Sequence, residues 1–241
     1  MQQDPTPTRE TLPWDRISTP EVQDALLGAK STTPGTDEIP LKVLKLAWPL
    51  IHPHITRLYQ DCIDQGRHPT PWKEAKTVMC PKKEGKRKLS TPKAWRPIVL
   101  LSCLSKGLER LIARRLARLA IKHKVLAPQH FGALPKRAAT DLVAALVRDI
   151  EEAWASGQVA SLLTMDIQRA FNMVQADLLW TRLIQQGWPR NIADWARSFT
   201  TDRKVRVRFE DHTSDLHHIP GGVPQGSPAS PILFMLYGGH I

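Results

Sequence analysis

Cysteine is scarce in this 241-residue chain: Cys62, Cys80 and Cys103 are the only three, an odd number with no CxxC pair. That leaves no disulfide framework and no structural zinc cluster, and it fits a reducing, intracellular compartment, nucleus or cytoplasm. Long apolar runs are lacking too. The most apolar stretch, Pro231 to Tyr237, falls far short of the roughly 20 residues that span a bilayer, and the polar Met1 to Glu10 start is no signal peptide. The membrane is therefore not an expected partner. Nine histidines include His52, His54, His217 and His218, but no HExxH pair and no cysteine at finger spacing accompanies them. GxxxxGK[ST] and GxSxG are absent, which disfavours P-loop NTPases and α/β-hydrolases. No internal repeat or low-complexity tract occurs.

Acidic residues are the minority charge. Lys and Arg number 34 against 23 Asp and Glu, a formal net charge of +11, and such a surface favours polyanions, nucleic acid above all. A hydrophobic content of 41% with 24% charged residues is that of a globular protein, and the length allows one or two domains with a sizeable core.

Residues 1–17, with Pro5, Pro7 and Pro13, read as a disordered tail. Thr19 can cap a short helix that starts at Pro20 and ends at Gly28. Beyond the turn at Pro34-Gly35-Thr36-Asp37, apolar residues from Leu41 to Ile63 recur at helical spacing. Pro49 and Pro53 interrupt them, predicting two helices with a kink between. Residues 76–101 read as a β-hairpin whose polar tip, Lys82 to Lys88, is basic. Leu104, Leu108, Leu111, Ile112, Leu116 and Leu119 mark one face of a long helix, with Arg110, Arg114, Arg115, Arg118 and Lys122 displaced from it as a solvated or phosphate-binding face. An amphipathic helix from about Leu142 to Trp154 leads to Val159–Met165, the pattern of a buried strand ending in Asp166. Helices near 176–186 and 190–199 follow. Val205, Val207 and Phe209 then alternate with Arg206 and Arg208 as a strand. The fold class is α+β. Of the eight tryptophans, Trp188 and Trp195 sit at helical spacings that suit a core better than base stacking.

Three segments could carry chemistry. Asp166 is a carboxylate at the end of an apolar run, a structural cap or a cation ligand. Gly221-Gly222-Val223-Pro224-Gln225-Gly226-Ser227-Pro228 is a tight loop or a place of close approach to a ligand. The hairpin cations Lys82, Lys83, Lys86, Arg87, Lys88 and Arg96 could clamp phosphates or keep an edge strand soluble.

Their order adds weight. Pro34-Gly35-Thr36-Asp37-Glu38-Ile39-Pro40, Trp95-Arg96-Pro97-Ile98-Val99-Leu100-Leu101, Phe131-Gly132-Ala133-Leu134-Pro135-Lys136-Arg137, Asp166 to Phe171, and Gly222 to Pro228 follow one another along the chain. Over about residues 18–237 this succession resembles the reverse transcriptase domain of non-LTR, LINE-type retrotransposons. The resemblance implies a right-hand polymerase that adds dNTPs to a DNA primer on an RNA template, with residues 18–157 mainly fingers and 158–241 an incomplete palm without a thumb. It implies that Asp166, with the Ile167 carbonyl, binds catalytic Mg²⁺, and that Arg169 and Ala170 hold the triphosphate through backbone N–H groups. Phe171 would gate against a 2′-hydroxyl, Gln225 and Gly226 would lie against the nucleotide, and Lys82 and Arg96 would grip its phosphates.

Two departures stand out. Asn172 replaces an aspartate usual after the aromatic gate, a modest loss of charge. The family's aromatic-x-Asp-Asp motif lies further beyond Gln225 than Ile241. Two Mg²⁺ ions about 3.5–4 Å apart need several converging oxygens, so these 241 residues are expected not to polymerise. The unpaired strand should leave 158–166 and 203–237 prone to disorder or aggregation. A non-catalytic nucleic-acid-binding remnant is the rival reading.

Overall fold

The computed structural model describes residues 5–29, 33–82, 90–91, 94–132 and 134–238. The first helix, α1 (Thr19–Leu27), is capped by Ser18, whose hydroxyl accepts from the Glu21 N–H, one residue earlier than the pattern predicts. Helix α2 (Leu41–Asp64) runs through Pro49 and Pro53 as one element. Each proline removes one backbone bond, but both are exposed, so water can satisfy the carbonyls of Lys45 and Pro49 that they leave. The expected break into two helices does not occur.

Strands β1 (Glu74–Pro81) and β2 (Trp95–Leu100) form the antiparallel hairpin, with Cys80 opposite Arg96 and Lys76 opposite Leu100. The hairpin's cations Lys83, Lys86, Arg87 and Lys88 lie outside the described residues. Next come α3 (Cys103–Lys122), α4 (Ala139–Ala155), α5 (Ala176–Gln185) and α6 (Arg190–Thr200). Strand β3 (Arg203–Phe209) lies parallel to β1, and β4 (His212–Thr213) and β5 (His217–Ile219) pair antiparallel with β3. Helix α7 (Ser230–Gly238) closes the described fold. The result is a mixed α/β architecture: five strands beside a helical body whose core centres on Tyr59, Leu108, Ile112, Leu183, Trp195 and Phe199. Trp188 is buried there as well.

Three other expectations meet a different outcome. Residues 5–17 are no tail: the Thr8 and Leu12 N–H groups donate to the Gln185 and Gly187 carbonyls, and Leu12 and Ile17 enter the core. The arginines of α3 are neither solvated nor free for phosphate as a set. Arg110 donates to the Ala25 carbonyl, Arg114 pairs with Asp24 at 2.5 Å and Arg115 forks onto Glu21 at 2.6 Å, tying α3 to α1. Arg118 and Lys122 do stay exposed.

The third is Val159–Met165, which is neither a strand nor buried. Val159 is 91% exposed and Met165 83%, and no ladder forms. A strand needs a partner's N–H and C=O groups, and the free side of β1 is taken by β3. Helix α4, just upstream, buries no residue.

Candidate nucleotide-binding site

The chain from Gln168 to Val174 turns sharply. Arg169 adopts the left-handed region (φ 55°) and opens a 3-10 turn at Ala170–Met173. The Asn172 and Met173 N–H groups donate to the Arg169 carbonyl at 2.8 and 3.2 Å. Gly222 then docks on this turn: its N–H donates to the Val174 carbonyl (3.0 Å) and the Val223 N–H to the Phe171 carbonyl (2.9 Å). A Cβ on Gly222 would meet the Phe171 oxygen at 2.7 Å, and its φ of 90° is one that L side chains resist. Phe171 leans on Phe234 of α7, ring centroids 5.6 Å apart.

The far side of the loop meets β2. The Val99 N–H donates to the Gln225 carbonyl at 3.0 Å. Gly226 (φ 114°) passes so close that a Cβ would lie 2.9 Å from the Val99 carbonyl oxygen. Seated between β2 and the 3-10 turn, the loop encloses a cavity of about 450 Å³ lined by Arg96, Pro97, Ile98, Arg169, Ala170, Phe171, Gln225 and Gly226. Six residues singled out from sequence thus face one space. Pro97 and Ile98 join them as walls, carried by the motif that holds Arg96. A larger groove of about 540 Å³ lies elsewhere, among Arg67, Lys73, Arg197, Asp194 and Asp202. Its acids oppose its cations, so it suits an anion less well.

Three predicted residues lie apart. Lys82 lies just past the end of β1, where its N–H donates to the Ala94 carbonyl, and it does not line the cavity. Asp166 is exposed and Ile167 is 50% exposed, on the stretch without secondary structure. Among the described residues no group of three or more His, Cys, Asp or Glu side chains could hold a metal ion. One exposed carboxylate and a backbone carbonyl do not make the converging oxygen set that a pair of Mg²⁺ ions requires, so the residues present do not fit that group.

One buried residue escaped the sequence reading. Glu109 of α3 is fully buried and bonded to Ser227, immediately after Gly226. It stands three residues before Ile112 and seven before Leu116, on the helix's apolar stripe, and an acid in that register is the signal that could have found it.

In this mixed α/β fold a strand hairpin, a tight turn and a Gly-Pro loop thus meet around one cavity that carries two arginines. The comparisons name the family. Residues 80–241 match the reverse transcriptase (RNA-dependent DNA polymerase) family, and the chain belongs to it. It is 29% identical over 96% of its length to the probable RNA-directed DNA polymerase from transposon BS of Drosophila melanogaster. It is 27% identical over 96% of its length to the RNA-directed DNA polymerase from mobile element jockey of the same fly. To the retrovirus-related Pol polyprotein from type-1 retrotransposable element R2 of Popillia japonica it is 27% identical over 90% of its length. These relatives are non-LTR retrotransposon proteins, and the chain covers only 25%, 25% and 29% of their respective lengths. No helix among the described residues is long and apolar enough to cross a membrane.

Proposed function

We propose that this chain supplies the nucleotide-holding part of a non-LTR retrotransposon RNA-directed DNA polymerase, and that the cavity under β2 takes the incoming dNTP. One observation carries this reading: Arg96, the Arg169–Phe171 turn and Gln225–Gly226, far apart in sequence, line a single cavity. Arg96 and Arg169 supply cationic donors suited to a triphosphate. The Phe171 ring, braced by Phe234, stands where it would crowd a ribose 2′-hydroxyl. Gln225 and Gly226 present a flat backbone edge, held by Val99, to the base and sugar. Residues 18–157 then correspond mainly to fingers and 158–241 to part of a palm, with RNA template and DNA primer as partners of the basic surface. Because the carboxylates among the described residues do not form a two-metal site, the proposed role is to bind nucleotide without joining it to a primer.

The test is direct. A fluorescent dNTP is titrated into the purified chain, into Arg96→Glu and into the exposed-surface control Arg118→Glu. Binding to wild type and control, with about tenfold or greater loss in Arg96→Glu, is expected. Equal affinities in all three would overturn the cavity assignment, and metal-dependent primer extension by the 241-residue chain would overturn the claim that it does not polymerise.

A further inference from the structure

The interior of α3 holds a carboxylate with no place in the proposed nucleotide contacts. Glu109 is fully buried, a position that costs several kcal/mol unless hydrogen bonds replace the lost water. Both of its oxygens are met by hydroxyls. Ser105, one turn earlier on α3, donates to Oε1, and Ser227 donates to Oε2 at 2.5 Å across 118 residues of sequence. The Ser227 hydroxyl also accepts from the Ala229 N–H at 3.0 Å, which leaves its own proton for Glu109. On the other side, His68 Nε2 lies 3.4 Å from the Ser105 oxygen. His68 is buried as well, its imidazole held neutral by burial and then by the charges of Arg203 and Lys73. Bonds therefore run inward from both ends, and an acceptor-only group at their meeting point satisfies both hydroxyls. The buried Arg203 guanidinium feels the same negative charge.

Ser227 is the residue after Gln225 and Gly226, two walls of the cavity. Their backbone is otherwise fixed by the Val99 N–H on the Gln225 carbonyl and by the Ser230 hydroxyl on the Pro224 carbonyl at 2.8 Å. The first anchor is to a hairpin strand and the second to Ser230, the first residue of α7, which follows the loop directly in the chain. The Glu109 carboxylate ties the loop to α3, an element distant from it in sequence. Replacing Glu109 together with its hydroxyl partners by apolar side chains of similar volume would often be neutral or stabilising, so stability alone gives no reason for a carboxylate there.

We propose that Glu109 is a positioning residue: through Ser227 it sets the height of Gln225 and Gly226 and so the width of the dNTP cavity. The inference rests on the reading of that cavity as the dNTP site. Ser105 supplies the internal comparison, since it holds the other oxygen of the same carboxylate and does not touch the loop.

The experiment compares Glu109→Gln, Ser227→Ala and Ser105→Ala in the full 241-residue chain. Affinity for a fluorescent dNTP, the melting temperature and amide hydrogen exchange over residues 225–229 are read in each. Glu109→Gln and Ser227→Ala should weaken dNTP binding by about tenfold or more and speed exchange in that segment. Ser105→Ala should lower the melting temperature comparably while shifting affinity less than about threefold. Losses of affinity that track melting temperature across all three variants would overturn the proposal and leave Glu109 a structural group. If wild type binds no dNTP, the cavity's function fails, and exchange alone decides the anchor. Faster exchange confined to 225–229 in Glu109→Gln and Ser227→Ala supports it, and unchanged exchange refutes it.

Discussion

Adjacent glycines in the Gly221–Pro228 loop make a controlled pair. Gly222 sits at φ 90°, where an L residue costs about 1–3 kcal/mol. Its added Cβ would come within 2.7 Å of the Phe171 oxygen and 2.8 Å of the Asn172 Cα, both backbone atoms that cannot swing aside. The loop must then back away from the 3-10 turn, giving up the Gly222–Val174 and Val223–Phe171 hydrogen bonds, at about 0.5–1.5 kcal/mol each. Gly222→Ala is thus expected to cost about 2–6 kcal/mol in total. At Gly221 the nearest atom to an added Cβ is the Val174 oxygen at 3.8 Å, an ordinary contact, and φ is not positive. Gly221→Ala should cost less than about 1 kcal/mol. Urea unfolding of both variants, with dNTP titration alongside, reads the difference. If the strain is relieved locally, stability is partly kept and the affinity of Gly222→Ala falls about tenfold or more. If it is not, the midpoint of unfolding falls instead. Indistinguishable behaviour of the two variants in both assays would show that contact between the loop and the Phe171 turn does not hold the cavity together.

Arg115 donates twice to Glu21, at 2.6 Å each, and also to the Asp15 and Arg16 carbonyls, so Arg115→Ala should destabilise the fold by about 2–4 kcal/mol. The exposed Arg118→Ala should cost less than about 0.5 kcal/mol, and equal urea midpoints would refute the assignment. His68 is kept neutral in the fold while its unfolded counterpart gains a proton near pH 6.5. The unfolded state binds more protons below that pH, so stability is intact above it and about 1.4 kcal/mol is lost by pH 5.5. Unfolding at pH 7.5 and 5.5 should show this loss in wild type and not in His68→Asn. With a net charge of +11, affinity for single-stranded RNA should fall steeply with salt, by roughly 0.7 logarithmic units per phosphate neutralised. A flat response in filter binding would remove the electrostatic basis for template contact.

Patterns that are local and self-sufficient were legible. The β1–β2 hairpin follows from two apolar runs around a polar tip, and α5, α6 and β3 from periods of 3.6 and 2. The Gly-Pro loop could hardly be an element interior. The cavity lining was legible in another way, through the succession of motifs, because no local rule brings Arg96 against Gly226. What was not legible depended on surroundings. Pro49 and Pro53 predict a break only if their freed carbonyls lack water, and both lie on the exposed side of α2. The α3 arginines stand off the apolar face on a helical wheel, yet α1 lies beside them with Glu21 and Asp24. Residues 5–17 have no period to read because scattered hydrogen bonds to backbone and side chains, with Leu12 and Ile17 buried, fasten them rather than an element.

Val159–Met165 is the sharpest case. Its apolar run implies burial, and burial of a strand implies a ladder, but a ladder is a property of two strands. With β3 beside β1, the run stays outside the sheet and exposed, and it carries Asp166 with it. Phe171, only five residues on, is nevertheless held by Val223 and Phe234. The boundary between the two conditions falls at Arg169, where the left-handed turn begins. The cavity therefore owes its geometry to α7, β2 and the Ser227–Glu109 bond, none of which includes Asp166. That independence separates two measurements usually made as one: dNTP affinity should survive Asp166→Ala unchanged, because Asp166 is exposed and does not line the cavity. A loss of affinity in Asp166→Ala, at unchanged melting temperature, would show that the carboxylate and the cavity are coupled after all.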